Sequence, residues 1–310
     1  MENLRGVSVV SSAIAWASGT HGTYLRTTDG GASWNAAQVR GAESLDFRDI
    51  EAFSAEDAYL LSAGPGELSR IYKTTDGGRN WTLQFTNPDA KGFFDCMAFW
   101  DRKHGIALGD PVDGRFVLIA TKNGGRSWNR LSSQTMPPAI DSEGAFAASG
   151  TCIAVQGKNN VWFATGGSVA RVFRSSDRGK SWSVAETPFV HGNESSGIFS
   201  IAFRDALHGM VAGGDYKHPE QEGPNLAFTE DGGRTWQLSK ASPQAYFSAA
   251  AFDEANDRVL AVGPVLTLVV ENGRAQKISD LNLNALAVCK SGQAVAVGPK
   301  GTIVRFSGRE

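Results

Sequence analysis

The chain of 310 residues has little of what chemistry is usually built on. It has three cysteines, Cys96, Cys152 and Cys289, and five histidines. None stands at the close spacing of a metal site or a CxxC redox pair. The cysteines lie far apart in apolar runs, so buried free thiols are expected, the odd count leaving at least one unpaired. Neither sign of charge dominates: 30 Lys and Arg face 32 Asp and Glu, a net −2 at pH 7. That balance suggests neither a nucleic-acid footprint nor a patch for a membrane surface. No apolar run is long enough to span a bilayer, so no membrane insertion is expected. No stretch of useful length carries the apolar period of a helix. Zinc-protease, phosphate-loop, nucleophile-elbow and Rossmann signatures are missing from the settings that give them meaning. No metal and no cofactor is implied.

What the chain does have is glycine, 36 residues, and eight tryptophans. Five of the tryptophans end copies of one octapeptide. The first is Thr27-Thr28-Asp29-Gly30-Gly31-Ala32-Ser33-Trp34. The others are residues 74–81 (with Asp76 and Trp81), 121–128 (Asn123, Trp128), 175–182 (Asp177, Trp182) and 229–236 (Asp231, Trp236). Each copy follows a β-rich run such as Arg70-Ile71-Tyr72-Lys73 and leads into an alternating one such as Trp81-Thr82-Leu83-Gln84-Phe85. That order reads as strand, tight turn, strand. Glycine takes the positive φ that a Cβ disfavours. Asp or Asn accepts hydrogen bonds from backbone N–H groups further along. Ser and Thr hydroxyls tie down remaining backbone groups, and the indole wedges between neighbouring sheets. The Asp and Asn positions are therefore expected to hold hairpins and not to catalyse.

The pattern resembles the Asp-box, or BNR repeat, of β-propeller proteins: sialidases, sortilin-type receptors, xyloglucan-cleaving glycosidases and the photosystem II stability/assembly factor family. The resemblance implies an all-β, seven-bladed β-propeller as a single domain over 1–310, with box turns between the third and fourth strands of most blades. Successive box tryptophans stand 47, 47, 54 and 54 residues apart. Each interval is one blade, and about 44 residues per blade gives about seven blades. Six blades and an extra hairpin are the alternative. Residues 271–274 replace a box in the sixth blade, and the seventh, 281–306, shows three strands. A ring of sheets must close or leave edges exposed. The N- and C-terminal segments are expected to close it, with Met1 to Arg5 packing beside residues 302–306 unless a natural latch left with a leader. The resemblance further implies export to the periplasm or the extracellular space, with Met1 standing in place of a removed leader.

With strands ordered from the axis outward, the box turns share a face with the turns joining first and second strands. Function is expected on the opposite face, at the axis, because loops on a rigid scaffold carry it. The crossovers and inner-strand starts offer Arg48, Asp95, Glu143, Phe146, Glu194, Ser196 and Tyr246 there. The loops between second and third strands offer Asp110, Asp113, Arg115, Asp215, Tyr216 and Lys217. Asp110 and Asp215 hold equivalent places in blades three and five. Each either closes an Asx turn with a surface ion pair or faces the funnel. His104 and His208, in matching turns on the box face, are expected to pack those turns. The funnel set is acidic with a few cations and several aromatics, which suits a protein segment, a glycan or another polar ligand.

The seven-blade count and the boxes are most similar to the photosystem II stability/assembly factors. That resemblance implies a monomeric, non-catalytic binding or scaffold propeller. The alternative is a BNR-type glycoside hydrolase, in which Asp95, Asp110 and Asp215 are the carboxylates available for a pair about 6.5–9.5 Å apart. Sialidase is disfavoured. Its FRIP motif is absent, and of the arginines only Arg48 and Arg115 lie where the funnel is expected. Nothing supports an axial quinone cofactor.

Overall fold

The computed structural model describes residues 1–240 and 245–306. Strand and tight turn repeat through it to build seven antiparallel sheets. Blade two shows the plan: Phe47–Ala52, Ala58–Ser62, Arg70–Thr74 and Thr82–Thr86 pair in chain order. Its second strand is buried throughout, whereas its fourth is half-buried to exposed. The inner strands are covered by a blade on either side, and the outer ones meet solvent.

The strands nearest the axis are Leu4–Val9, Phe47–Ala52, Phe94–Asp101, Ile153–Gln156, Ser196–Phe203, Ala249–Asp253 and Ala285–Val288. Each packs on the next, and the last returns to the first. The protein is a seven-bladed β-propeller; the six-blade alternative does not apply.

The octapeptides form the turns between third and fourth strands in blades one to five. In the first, the Thr27 hydroxyl accepts from Gly31 N at 2.9 Å, and Asp29 accepts from Ser33 N at 2.9 Å and from Ser33 Oγ at 2.5 Å. The same pair of backbone bonds recurs in the other four copies. Arg178 takes a glycine's place in the fourth at φ 63°. Each turn also bonds to the first hairpin of its own blade, as Gly30 N does to Ala13 O at 2.9 Å and Gly77 N to Glu56 O at 3.0 Å. The two sets of turns therefore share a face. Their indoles wedge into the preceding blade. Trp81, for example, packs 6.2 Å from Trp16 and 5.2 Å from Tyr24 of blade one.

Closure differs from the expected latch. Among the described residues, no strand pairs with the outer edge of Ile303–Phe306. The N-terminal residues instead begin the inner strand of blade one. The seam is held by Leu4 N to Gly298 O (3.2 Å), Gly301 N to Glu2 O (2.7 Å), and Asn284 Nδ2 to Leu4 O (2.7 Å). Apolar contact of Leu4, Ala15 and Ala17 with Ala285, Val295 and Val297 completes it. Residues 307–310, part of the C-terminal segment expected to help, lie outside the described residues.

The expectation of three free thiols also needs correcting. Cys96, in the inner strand of blade three, and Cys152, just before that of blade four, are joined by a disulfide with Cα atoms 6.0 Å apart. Cys289 is free and buried. The ring brings together two residues that sequence separates by 56 positions. For a loop of that size the chain-entropy model gives about 4 kcal/mol of stabilisation. Cys96→Ser should lower the guanidinium midpoint by the equivalent of about 4 kcal/mol. A thiol assay on denatured, unreduced protein should find Cys289 alone; reaction of all three cysteines would refute the bridge.

Candidate binding site at the axial mouth

The inner strands enclose an axial channel of about 440 Å³. Residues 145–151 cross it at the end away from the boxes. Ala147 O accepts from Arg48 Nη1 of blade two at 3.0 Å, Ser149 Oγ donates to Ser248 O of blade six at 2.8 Å, and Thr151 Oγ1 bonds Ser200 Oγ of blade five at 2.8 Å. Gly150, at φ +79°, lies so close to the Asp49 carboxyl that no Cβ fits. The inner strand of blade four therefore spans only Ile153–Gln156. The residues before it bond across the axis and not along their own sheet.

Charged groups from several blades meet above this crossing. Arg48 donates from Nε to Asp46 Oδ2 at 2.8 Å. Arg5, from the start of the chain, lies beside Arg48, Asp46 and Tyr246. Burial, and after it the charge of Arg48, pulls its guanidinium below its ordinary pKa. Asp95 is 1% exposed. Burial, reinforced by the nearby Asp110, raises its pKa well above the usual carboxylate range. Asp110 accepts from Ala145 N at 2.9 Å, and burial lifts its pKa to about 6. Among the described residues, three buried polar atoms here have no hydrogen-bond partner: Arg5 Nε, Asp46 Oδ1 and Asp95 Oδ2. Aromatic rings line the same mouth. Phe146 stacks on Phe199 at 3.8 Å, Tyr246 meets Phe199 edge-on at 4.8 Å, and Tyr216 stands 6.1 Å from Phe199 and 47% exposed.

Other residues singled out in the sequence are engaged elsewhere. Glu143 is buried under Arg171, which donates from Nε at 2.9 Å and from Nη2 at 2.5 Å. Thr165 Oγ1 donates to the same carboxylate at 2.6 Å. Arg115 donates to the backbone carbonyls of Ser133 and Met136. Asp215 closes its own turn: burial opposes its ionisation, but hydrogen bonds from Ser195, His218, Lys217 and Asn193 outweigh it and hold the pKa at about 2. Ser196 is buried with its hydroxyl on Asn193 O. Asp113 sits at an exposed hairpin tip at φ 52°, and Glu194 and Lys217 are exposed. His104 and His208 each lie 2.8 Å from the Asp of their own turn, Asp101 and Asp205. Sequence reasoning missed Arg5, Asp46, Phe199 and Arg171. The strand-like alternation of Leu4-Arg5-Gly6-Val7 was the available signal for the first.

Deeper in the channel lies Glu51, whose pKa burial raises to about 7. A carboxyl with a folded pKa above its unfolded one binds its proton more tightly when folded, so stability falls as pH rises from about 4.5 to about 7. Glu51→Gln should therefore stabilise the protein at pH 8 and leave it nearly unchanged at pH 4. The gain should be about 1–2 kcal/mol, below the full linkage value because Glu51 is partly accessible to channel water. Denaturant titrations at the two pH values check it, and an equal effect at both would contradict it.

No family model matches the chain. The photosystem II assembly lipoprotein Ycf48 of Synechococcus sp. (strain CC9902) is 26% identical over 270 residues, covering 84% of this chain and 69% of that protein. A solved structure described as YCF48 bound to D1 peptide matches with a TM-score of 0.72 at 16% identity, over 99% of this chain and 94% of that one. YCF48 from Cyanidioschyzon merolae matches with a TM-score of 0.64 at 19% identity, over 98% and 95%. The structural matches speak for the fold, and the sequence relative adds the family likeness. The chain is a photosystem II assembly factor-like β-propeller.

Proposed function

We propose that the protein is a non-catalytic scaffold that holds a segment of another protein at the axial mouth opposite the box turns. The observation that carries this reading is the pair of unpartnered atoms Arg5 Nε and Asp46 Oδ1 beside Arg48. A buried polar group without a partner costs about 1–3 kcal/mol. A ligand offering both acceptors and donors relieves that cost, and an extended peptide with a carboxylate does so. The ring wall of Phe146, Phe199, Tyr216 and Tyr246 adds apolar contact for its side chains. The similarity to assembly factors, and to a YCF48 structure that holds a D1 peptide, supports a protein ligand over a sugar. The three carboxylates considered for a hydrolase pair support the absence of catalysis: Asp95 is sealed from substrate and Asp215 is spent on its own turn, which leaves Asp110 without a partner among them. Within this reading, residues 1–310 form one monomeric domain whose ring is closed by its two terminal segments. It works in the periplasm or outside the cell after loss of a leader. The Cys96–Cys152 bridge favours an oxidising compartment, and the Synechococcus relative is described as a lipoprotein.

A peptide array tests the assignment. Peptides retained by the wild type should bind Arg5→Gln and Arg48→Gln about tenfold more weakly, and Arg234→Gln on the box face should bind as the wild type does. Equal retention by an Arg5→Gln/Arg48→Gln double variant would sink it.

A further inference from the structure

Each box indole fills the space between its own blade and the one before. Where this packing involves the end of the inner strand, a phenylalanine meets the indole edge-on: Phe99 with Trp128 at 5.9 Å and 86°, Phe203 with Trp236 at 6.1 Å and 82°. Phe252 of blade six holds the same place. It pairs with Val259 as Phe99 pairs with Gly105 and Phe203 with Gly209. Blade six, however, has no box. Its third and fourth strands are joined by the two-residue turn Asn272-Gly273, at φ 50° and 71°, and no indole reaches Phe252.

The preceding blade differs at the matching point. The residue just before the box hydroxyl faces the next blade's turn. Arg26 and Lys73 occupy it in blades one and two, and they reach Ala55 O at 2.6 Å and Gly124 O at 3.1 Å in the following blades. Arg174 holds the place in blade four, within the influence of Arg234 and Asp231 of the next box. In blade five the residue is Phe228. A cation there would have no box to meet. What remains between blades five and six is an open pocket of about 390 Å³, lined by Phe228, Leu238, Phe252, Val259 and Val270, with Arg204 at its rim. Phe228 and Phe252 are both half-buried, and Leu238 is 42% exposed. The volume falls within the range of about 300–1,000 Å³ usual for ligand sites.

We propose that this socket is a docking site for an aromatic side chain, foremost an indole, carried on a surface turn of a partner protein. The fold itself specifies the occupant, since the same molecule fills the equivalent space at its other box-bearing interfaces with a tryptophan on a turn. Phe252 supplies the edge-to-face partner, Phe228 the opposite wall, and Arg204, 5.9 Å from the Phe252 ring, a cation for the rim. This site is separate from the axial mouth and stands whether or not that assignment holds.

The test uses the full chain and a cyclised peptide copying residues 226–238, with a Trp236→Ala version as control, titrated by calorimetry. The indole peptide should bind saturably and the alanine peptide about tenfold or more weakly. Phe228→Lys, which restores the residue type of Lys73, should lose about tenfold or more for the indole peptide, while Arg5→Gln should lose nothing. Equal binding of the two peptides, no saturable binding of either, or full binding by Phe228→Lys would overturn the proposal. A protein in which residues 121–128 replace 271–274 fills the socket from within. It should no longer bind the peptide, and undiminished binding would equally refute the site.

Discussion

A propeller has no core other than the spaces between its blades, so its stability depends on how each of those spaces is filled. Here the filling is done largely by one device, an indole on a hydrogen-bonded turn, driven into the sheet before it. The turn needs positive φ, a carboxylate or amide to collect backbone N–H groups, and a hydroxyl beneath them. Once those are met, the Trp ring has one direction to go. Apolar burial worth roughly 25 cal/mol per Å² then favours the register in which successive blades mesh. Placing this device on one face leaves the loops of the other free to vary.

That division explains which features could be read in advance. Asp29, Asp76, Asn123, Asp177 and Asp231 bond groups within a few residues of themselves, so their role was visible in eight letters of sequence. The blade count followed from their spacing. The bridge between Cys96 and Cys152 joins neighbouring blades, the ion pair of Arg171 with Glu143 joins positions 28 apart in sequence, and the approach of Arg5 to Tyr246 depends on the ring being closed. No local pattern marks any of them. Arg5 was further hidden because the first residues were expected to pair with the last strand, whereas they open the first blade.

The candidate mouth shows the same contrast. Asp110, Arg48 and Tyr246 were found by asking which loops a propeller brings to its axis. Glu143 and Arg115 satisfied that criterion too, yet both are committed to neighbouring backbone or to an opposite charge. Sequence alone could not distinguish them, because it gives the loop but not what lies beside it. The crossing of residues 145–151 decided several of these outcomes by bringing blades two, five and six into contact with the fourth.

The seam between the last and first blades is held by backbone and side-chain hydrogen bonds and by an apolar cluster that includes Leu4 and Trp34, with no shared sheet among the described residues. The covalent staple sits on the far arc of the ring, between blades three and four. This seam joins the two ends of the chain, so parting there would break no covalent bond, and blades three and four would stay bridged by the disulfide.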